Sequence, residues 1–132
     1  MSKDSLLNEF QTITNDTLAR NTSILDILSK LNIANAKIDR SLTKSITHCG
    51  CLNIDVSKLE YSNENSLNDL KNSNHSHISG NLCEDCLYNI SNEIGEYLFY
   101  LNSLCNTIDI DISEIVLNET KKMKTLGKFL MR

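Results

Sequence analysis

The chain has 132 residues, a formal net charge of −4 and no proline. That length suits one domain, since domains commonly run to about 100–150 residues. Hydrophobic residues make up 40% of the chain, which argues against full disorder, and the absence of proline favours long uninterrupted helices over a loop-rich β fold. The acidic balance disfavours DNA or RNA binding.

The chain carries no signal that we would expect of a membrane or secreted protein. Its apolar runs are far shorter than the roughly 20 residues of a transmembrane helix. The first residues, MSKDSLLNEF, lack the basic start and apolar block of a secretory signal. We therefore expect a cytoplasmic protein with no membrane contact. In a reducing compartment its five cysteines favour metal binding or chemistry over disulfides.

The first part of the chain, residues 4–46, has apolar residues three or four positions apart, which predicts helix. These residues are Leu6, Leu7, Phe10, Ile13, Ile24, Leu28, Leu31, Ile38, Leu42 and Ile46. The pattern fits one long helix or two helices with a break near residues 15–22. The narrow stripe can serve core packing or a seam with another chain. We expect a homodimer in which the apolar seam of residues 24–46 packs across a two-fold axis.

The middle of the chain changes character at Cys49-Gly50-Cys51, where Gly50 predicts a tight turn that ends the helix. Residues 52–56 alternate apolar and polar, as in a short strand or an extended arm. Residues 57–79 are polar and predict a loop with at most one short helix. We therefore expect one domain over residues 1–132 with a polar loop insertion at about 52–81.

The second half of the chain predicts two more helices. An apolar stripe repeats at helical spacing up to a helix end near Thr107, and Cys105 at its margin is expected to be a buried packing residue. The stripe consists of Leu87, Ile90, Ile94, Tyr97, Leu98, Leu101, Leu104 and Ile108. Asp111 is a plausible N-cap for the last helix, with Glu114 three residues on. The predicted fold class is all-α, a bundle of three to four helices.

Four cysteines form two close pairs, Cys49-x-Cys51 and Cys83-x-x-Cys86. Zinc prefers four tetrahedral ligands, and each pair can present two thiolates from one turn. We therefore predict a structural zinc clasp between helices, with His48 as an alternative ligand. A redox-active pair or unligated thiols are the alternatives. His75 and His77 lie in a wholly polar run and are expected to be solvated.

A second candidate site lies on the helix that follows the cysteines. Glu93 and Glu96 are three residues apart and share one side of a helix. Such a pair can hold Mg²⁺, although surface helices commonly carry glutamate pairs in solvent. Gly95 between them often marks the close approach of another helix or a ligand. Lys121 and Lys124 near the C-terminus can contact phosphates or simply form a solvated face.

The stretch from Cys83 to the C-terminus resembles the MazG-like family of all-α nucleoside triphosphate pyrophosphohydrolases. The likeness is densest in EIGEYLFYLNSLCNTIDIDISEIV, residues 93–116. There Glu93-Ile94-Gly95-Glu96 matches the family's E-x-x-D motif with Glu96 in place of Asp, and Leu98-Phe99-Tyr100-Leu101 matches its apolar run. The tail at residues 125–129 is similar to that of small clostridial-type MazG-like proteins with an LCxxC element.

The resemblance implies a MazG-like fold, but the chain departs from the family's second metal-binding motif. That motif is an E-x-x-E pattern on an upstream helix, whereas residues 31–46 contain one acid, Asp39. The chain therefore lacks about half of the carboxylates that hold magnesium in that family. We expect a non-catalytic, degenerate module that binds a protein partner or a nucleotide. One alternative is an active Mg²⁺-dependent pyrophosphohydrolase that uses Glu93 and Glu96, with Asp39 or residues of a second subunit completing the site. The other is a zinc- or redox-responsive regulator.

Overall fold

The structure is a computed structural model that describes residues 3–20, 22–59, 66–73 and 75–130. Within these ranges the chain is mostly helical, as predicted, but it has five α-helices where three to four were predicted, and it also has a small two-stranded sheet. The helices are α1 (Lys3–Thr17), α2 (Ile24–Lys44), α3 (Leu67–Ser73), α4 (Glu84–Thr107) and α5 (Ile112–Leu126). A π-helical turn, Ser45–Cys49, extends α2, and a 3₁₀ turn, Gly127–Leu130, follows α5. Two short strands, β1 (Leu52–Ile54) and β2 (Ile78–Gly80), complete the fold.

The first helical stretch consists of two helices, so the two-helix interpretation is the one observed. The chain leaves helix after Thr17 and re-enters it at Ile24. Ser23 sets the new start, because its hydroxyl accepts a hydrogen bond from the backbone N–H of Leu25 at 3.3 Å. A serine N-cap satisfies one of the free amides of a first helical turn, so a helix can begin here without proline or glycine.

Helices α2 and α4 are the two longest and form the main helix pair of the fold. They run antiparallel, since the cysteines at the end of α2 meet those at the start of α4. Ile27 and Ala34 of α2 and Ile90 of α4 are buried. The small Ala34 side chain suits a close approach of two helices.

Polar contacts of Gln11 and its neighbours join α1 to the C-terminal end of α4 and to the start of α5, and the Gln11 carbonyl accepts from the side chain of Asn106 at 3.0 Å. The amide of Gln11 donates to the carbonyl of Ile110 at 2.8 Å and accepts from the backbone N–H of Ile112 at 3.1 Å. Asp111 caps α5 by accepting from the N–H of Ser113 at 2.9 Å. The predicted helix end at Thr107, the cap at Asp111 and the burial of Cys105 are therefore observed.

The insertion contains more regular structure than a plain loop. Strand β1 pairs antiparallel with β2, with Leu52 opposite Gly80 and Ile54 opposite Ile78, so the strand interpretation holds. Helix α3 is the one short helix that the sequence allowed. Parts of the predicted loop, residues 60–65 and 74, lie outside the described residues. No helix in the described ranges has both the length and the apolar character needed to cross a membrane.

Of the two insertion histidines, His75 is exposed, as expected, and His77 is half-buried, and both make hydrogen bonds within the insertion. The Nε2 atom of His75 lies 2.7 Å from the hydroxyl of Ser57, and Nε2 of His77 lies 2.6 Å from the Ser57 carbonyl. His77 also has a φ of 65°, and its carbonyl accepts from the N–H of Asp55 at 2.9 Å. Both rings therefore close the insertion on itself, which a polar sequence pattern does not reveal.

Candidate metal centre

The first cysteine pair is positioned by the π-helical turn and the left-handed residue that follows it. Gly50 has a φ of 78°, which favours glycine, and its N–H donates to the carbonyl of Ser45 at 3.0 Å. The Cys51 thiol also lies 3.7 Å from that carbonyl. Ser45 is itself buried and donates to the Leu42 carbonyl at 2.6 Å. A buried serine thus anchors the turn that carries Cys49 and Cys51.

The second pair sits on the first turn of α4. Cys83 is the N-cap, and its sulfur accepts a hydrogen bond from the N–H of Cys86 at 3.4 Å. This arrangement turns both sulfurs toward the same side of the helix start. The first turn of a helix has free backbone amides, and the positive end of its dipole favours a thiolate there.

Gly80 brings the two pairs together, a role that its place in the sequence does not indicate. It has a φ of 89°, and a Cβ atom at this position would lie 2.5 Å from the carbonyl oxygen of Cys51. Only glycine allows strand β2 to lie this close to the first cysteine pair. The sequence shows only a glycine three residues before Cys83. The residue that it approaches, Cys51, is distant in sequence and is brought near by the fold.

The four predicted cysteines converge on one point. The ligand atoms of Cys49, Cys51, Cys83 and Cys86 all lie within 4.8 Å of one another, and the sulfurs of Cys49 and Cys83 are 3.7 Å apart. Sulfurs placed about 2.3 Å from a tetrahedral zinc ion are about 3.8 Å from one another. The cluster is therefore compatible with a metal ion. Cys49 is exposed and the other three are partly exposed, so an ion can enter from solvent.

Ionisation of the thiols agrees with a site that needs a cation. The backbone N–H of Cys86 and the adjacent thiols, opposed by some desolvation, lower the pKa of Cys83 to about 7. The pKa of Cys86 is raised well above its usual range, first by its interaction with Cys83 and then by desolvation. One sulfur of the metal-free cluster thus ionises readily and opposes ionisation of its neighbour. A bound cation removes that repulsion.

The alternative histidine ligand, His48, lies beside the cluster. It is exposed and lines a cavity of about 530 Å³ between α2 and α4, which Cys49 and Cys86 also line. The group of converging ligand atoms consists of the four sulfurs, without His48. Cationic side chains of α2, namely Lys37, Arg40 and Lys44, line the same cavity.

The two glutamates of the second candidate site differ in their contacts. Glu96 forms an ion pair with Lys37 at 3.4 Å, with both side chains partly exposed. Glu93 lines the cavity beside the cysteines, and its Oε2 atom is buried without a hydrogen-bond partner among the described residues. Across the described ranges, the four cysteines are the only group of three or more potential metal-ligating side chains of Cys, His, Asp or Glu.

Two other predicted features lie away from the cysteines. Lys121 and Lys124 are exposed on α5, whereas the cations that line the cavity come from α2. A Cβ atom added at Gly95 would meet nothing within 4 Å. The close approach expected at Gly95 is therefore not made by any described part of this chain.

Comparison of the chain with protein-family models, with curated proteins and with solved structures finds no match in any of the three. The resemblance to MazG-like proteins stays a prediction from the quoted motifs. The fold and the site together define a helical protein in which a four-cysteine cluster, able to hold a metal ion, joins the ends of its two longest helices.

Proposed function

We propose that the protein is a non-catalytic, MazG-like helical module whose fold is held by a structural zinc ion and which acts by binding a partner. The convergence of four sulfurs from opposite ends of a polar insertion carries this proposal. Because all four ligands are protein atoms, a zinc ion here has no open position for a substrate or a catalytic water. The metal then links α2, β1 and α4.

The carboxylates support the non-catalytic part of the proposal. Mg²⁺-dependent cleavage of a nucleoside triphosphate needs several carboxylates that hold the metal and orient water at the phosphate. Glu96 is engaged by Lys37, and no third acid joins Glu93 and Glu96 among the described residues. A protein partner, or a nucleotide held without hydrolysis, is therefore the expected ligand.

Metal content tests the zinc clasp. The full chain, purified without added metal, should contain one zinc per chain, and Cys49→Ser or Cys83→Ser should lose it. Cys105→Ala is the matched control, because Cys105 lies outside the cluster and should retain zinc. Chelation should lower the melting temperature, since a structural zinc contributes to folding directly. Much less than one zinc per chain, with unchanged melting after chelation, would refute the clasp.

A hydrolysis assay tests the absence of catalysis. Nucleoside triphosphates are incubated with the zinc-loaded chain and either Mg²⁺ or Mn²⁺, and pyrophosphate release is measured. We expect no turnover above the buffer control. Robust release that Glu93→Gln abolishes would instead establish the alternative function, an active pyrophosphohydrolase.

The contact between the Cys49 and Cys83 sulfurs, 3.7 Å, favours a second candidate function, a zinc- or redox-responsive regulator. Oxidation of these two thiols by a peroxide would join them as a disulfide and remove two zinc ligands. The measurement is zinc release and loss of helix under mild peroxide, followed by recovery with a reductant and zinc. A regulator should show a reversible change of partner binding, whereas a purely structural clasp should resist such treatment.

A further inference from the structure

We propose that the cavity between α2 and α4 binds a small ligand that carries one ammonium group and two carboxylates, the chemistry of an acidic amino acid or of a short acidic peptide. This inference names the ligand of the binding module proposed above, and it rests on the charges of the cavity, not on the metal. The cavity has a volume of about 530 Å³, which is within the range of small-molecule sites.

The cavity lies between two contacts that join the helices. At one end, Cys49 and Cys86 belong to the cysteine cluster. At the other end, the ammonium group of Lys37 lies 3.4 Å from a carboxylate oxygen of Glu96. Polar side chains of both helices line the space between these contacts, namely Arg40, Ser41, Lys44, Asn89 and Glu93. The fold therefore holds a polar space open between two fixed points.

The charged groups that face this space do not pair with one another. Within the described ranges, Arg40, Lys44 and Glu93 line the cavity but form no ion pair. The Lys37–Glu96 ion pair, one helical turn away, shows that α2 and α4 are close enough to be bridged directly. The unpaired groups amount to two positive charges and one negative charge. A ligand of complementary charge has two negative groups and one positive group.

Glu93 indicates where the positive group of the ligand would bind. Its Oε2 atom is buried and has no hydrogen-bond partner among the described residues, and burying a carboxylate without a donor is costly. An ammonium group beside this carboxylate would supply both a charge and N–H donors. A metal cation suits the position less well, because the cationic Arg40 and Lys44 line the same cavity and would repel it.

Arg40 and Lys44 indicate where the negative groups would bind. A guanidinium group presents paired N–H donors that match the two oxygens of a carboxylate. Lys44 follows one turn later, about 6 Å along α2, so two carboxylates separated by a few carbon atoms can reach both cations. No Phe, Tyr or Trp lines the cavity among the described residues, so it lacks the stacking surface that nucleic-acid bases use. The chemistry therefore favours an acidic amino acid over a nucleotide.

The test is isothermal titration calorimetry of the zinc-loaded full chain with L-glutamate. We expect saturable binding with a Kd below about 1 mM. Glutarate has the two carboxylates without the ammonium group, and it should bind at least about 10-fold more weakly. The dipeptide glutamyl-glutamate distinguishes the two sources of this chemistry. Tighter binding than L-glutamate would identify a peptide ligand, and weaker binding would identify a free amino acid.

Substitutions then separate the two walls of the cavity. Arg40→Gln and Lys44→Gln should each weaken the binding of L-glutamate by about 10-fold or more. Glu93→Gln should remove the preference for L-glutamate over glutarate, because the carboxylate that receives the ammonium group is lost. Lys71→Gln is the matched control: Lys71 is exposed on α3 and does not line the cavity, so this variant should bind L-glutamate like the wild type.

Helical circular dichroism and zinc content accompany each variant, and if Arg40→Gln unfolds, Lys44→Gln decides the question. A folded, zinc-loaded chain that binds neither L-glutamate nor the dipeptide at up to about 10 mM would overturn this inference and leave the metal clasp intact. Equal binding of glutarate and L-glutamate by the wild type, or equally tight binding of inorganic phosphate, would also overturn it. Selective binding by a folded chain without zinc would support the cavity site and refute the clasp.

Discussion

Replacing Gly80 with alanine should damage both the stability and the metal site, and two other glycines provide the controls. Gly80 and Gly50 both have positive φ, 89° and 78°, but only at Gly80 does a Cβ meet the backbone, 2.5 Å from the Cys51 oxygen. A positive φ costs an alanine about 1–2 kcal/mol relative to glycine. Relieving the clash requires backbone movement, which adds about 1–3 kcal/mol.

We therefore expect Gly80→Ala to reduce the free energy of unfolding by about 2–5 kcal/mol and Gly50→Ala by about 1–2 kcal/mol. Gly95→Ala, in open space within α4, should be neutral or stabilising by up to about 1 kcal/mol. Urea unfolding of the zinc-loaded chain measures all three.

The same substitution should also change metal affinity. Because the clash falls on the backbone of Cys51, Gly80→Ala should move that ligand and weaken zinc binding by about 10- to 100-fold in a competition assay with a chelator. If Gly80→Ala unfolds no more easily than Gly50→Ala and holds zinc equally well, the close approach of β2 to the first cysteine pair does not exist.

Substitutions of Gln11 and a pH titration of Cys83 test other parts of the fold and the site. Gln11→Ala removes the hydrogen bonds to Ile110 and Ile112 and should lower the free energy of unfolding in urea by about 2 kcal/mol. Gln11→Glu retains an acceptor for the Ile112 N–H and should be less destabilising. Equal destabilisation by the two variants would contradict these hydrogen bonds. In the metal-free reduced chain, alkylation of Cys83 should rise with a midpoint near its lowered pKa of about 7, as followed by mass spectrometry. A midpoint near the ordinary thiol value of about 8.5 would contradict the lowered pKa. Below that midpoint the sulfur is protonated, so zinc binding should weaken as the pH falls.

Several elements were predictable because they depend on local sequence. The helical class, the helix end at Thr107, the N-cap at Asp111 and the left-handed turn at Gly50 all follow from periodicity or from backbone preferences of single residues. Cysteine spacing likewise identified the four sulfurs that converge. Short-range rules are sufficient where a residue's partners lie within one turn of the chain.

Other predictions failed or stayed open because they depend on contacts between distant residues. His75 is exposed, as expected, but the sequence did not predict that His75 and His77 both hydrogen-bond Ser57. Gly95 suggested a close approach that the chain itself does not make. The spacing of Glu93 and Glu96 did not reveal that Lys37 engages one of them. Predicting each of these contacts would require the relative position of two helices or of the two ends of a loop.

Local patterns in the amino-acid order therefore established which segments are helical and which thiols can act as ligands. The folded chain brought Cys49 to Cys83, strand β2 to the Cys51 backbone and Gln11 to the start of α5. The physical reason is the distance along the chain over which each interaction acts. Propensity and periodicity act within a few residues, whereas a metal site depends on how separate elements pack, which only the tertiary structure specifies.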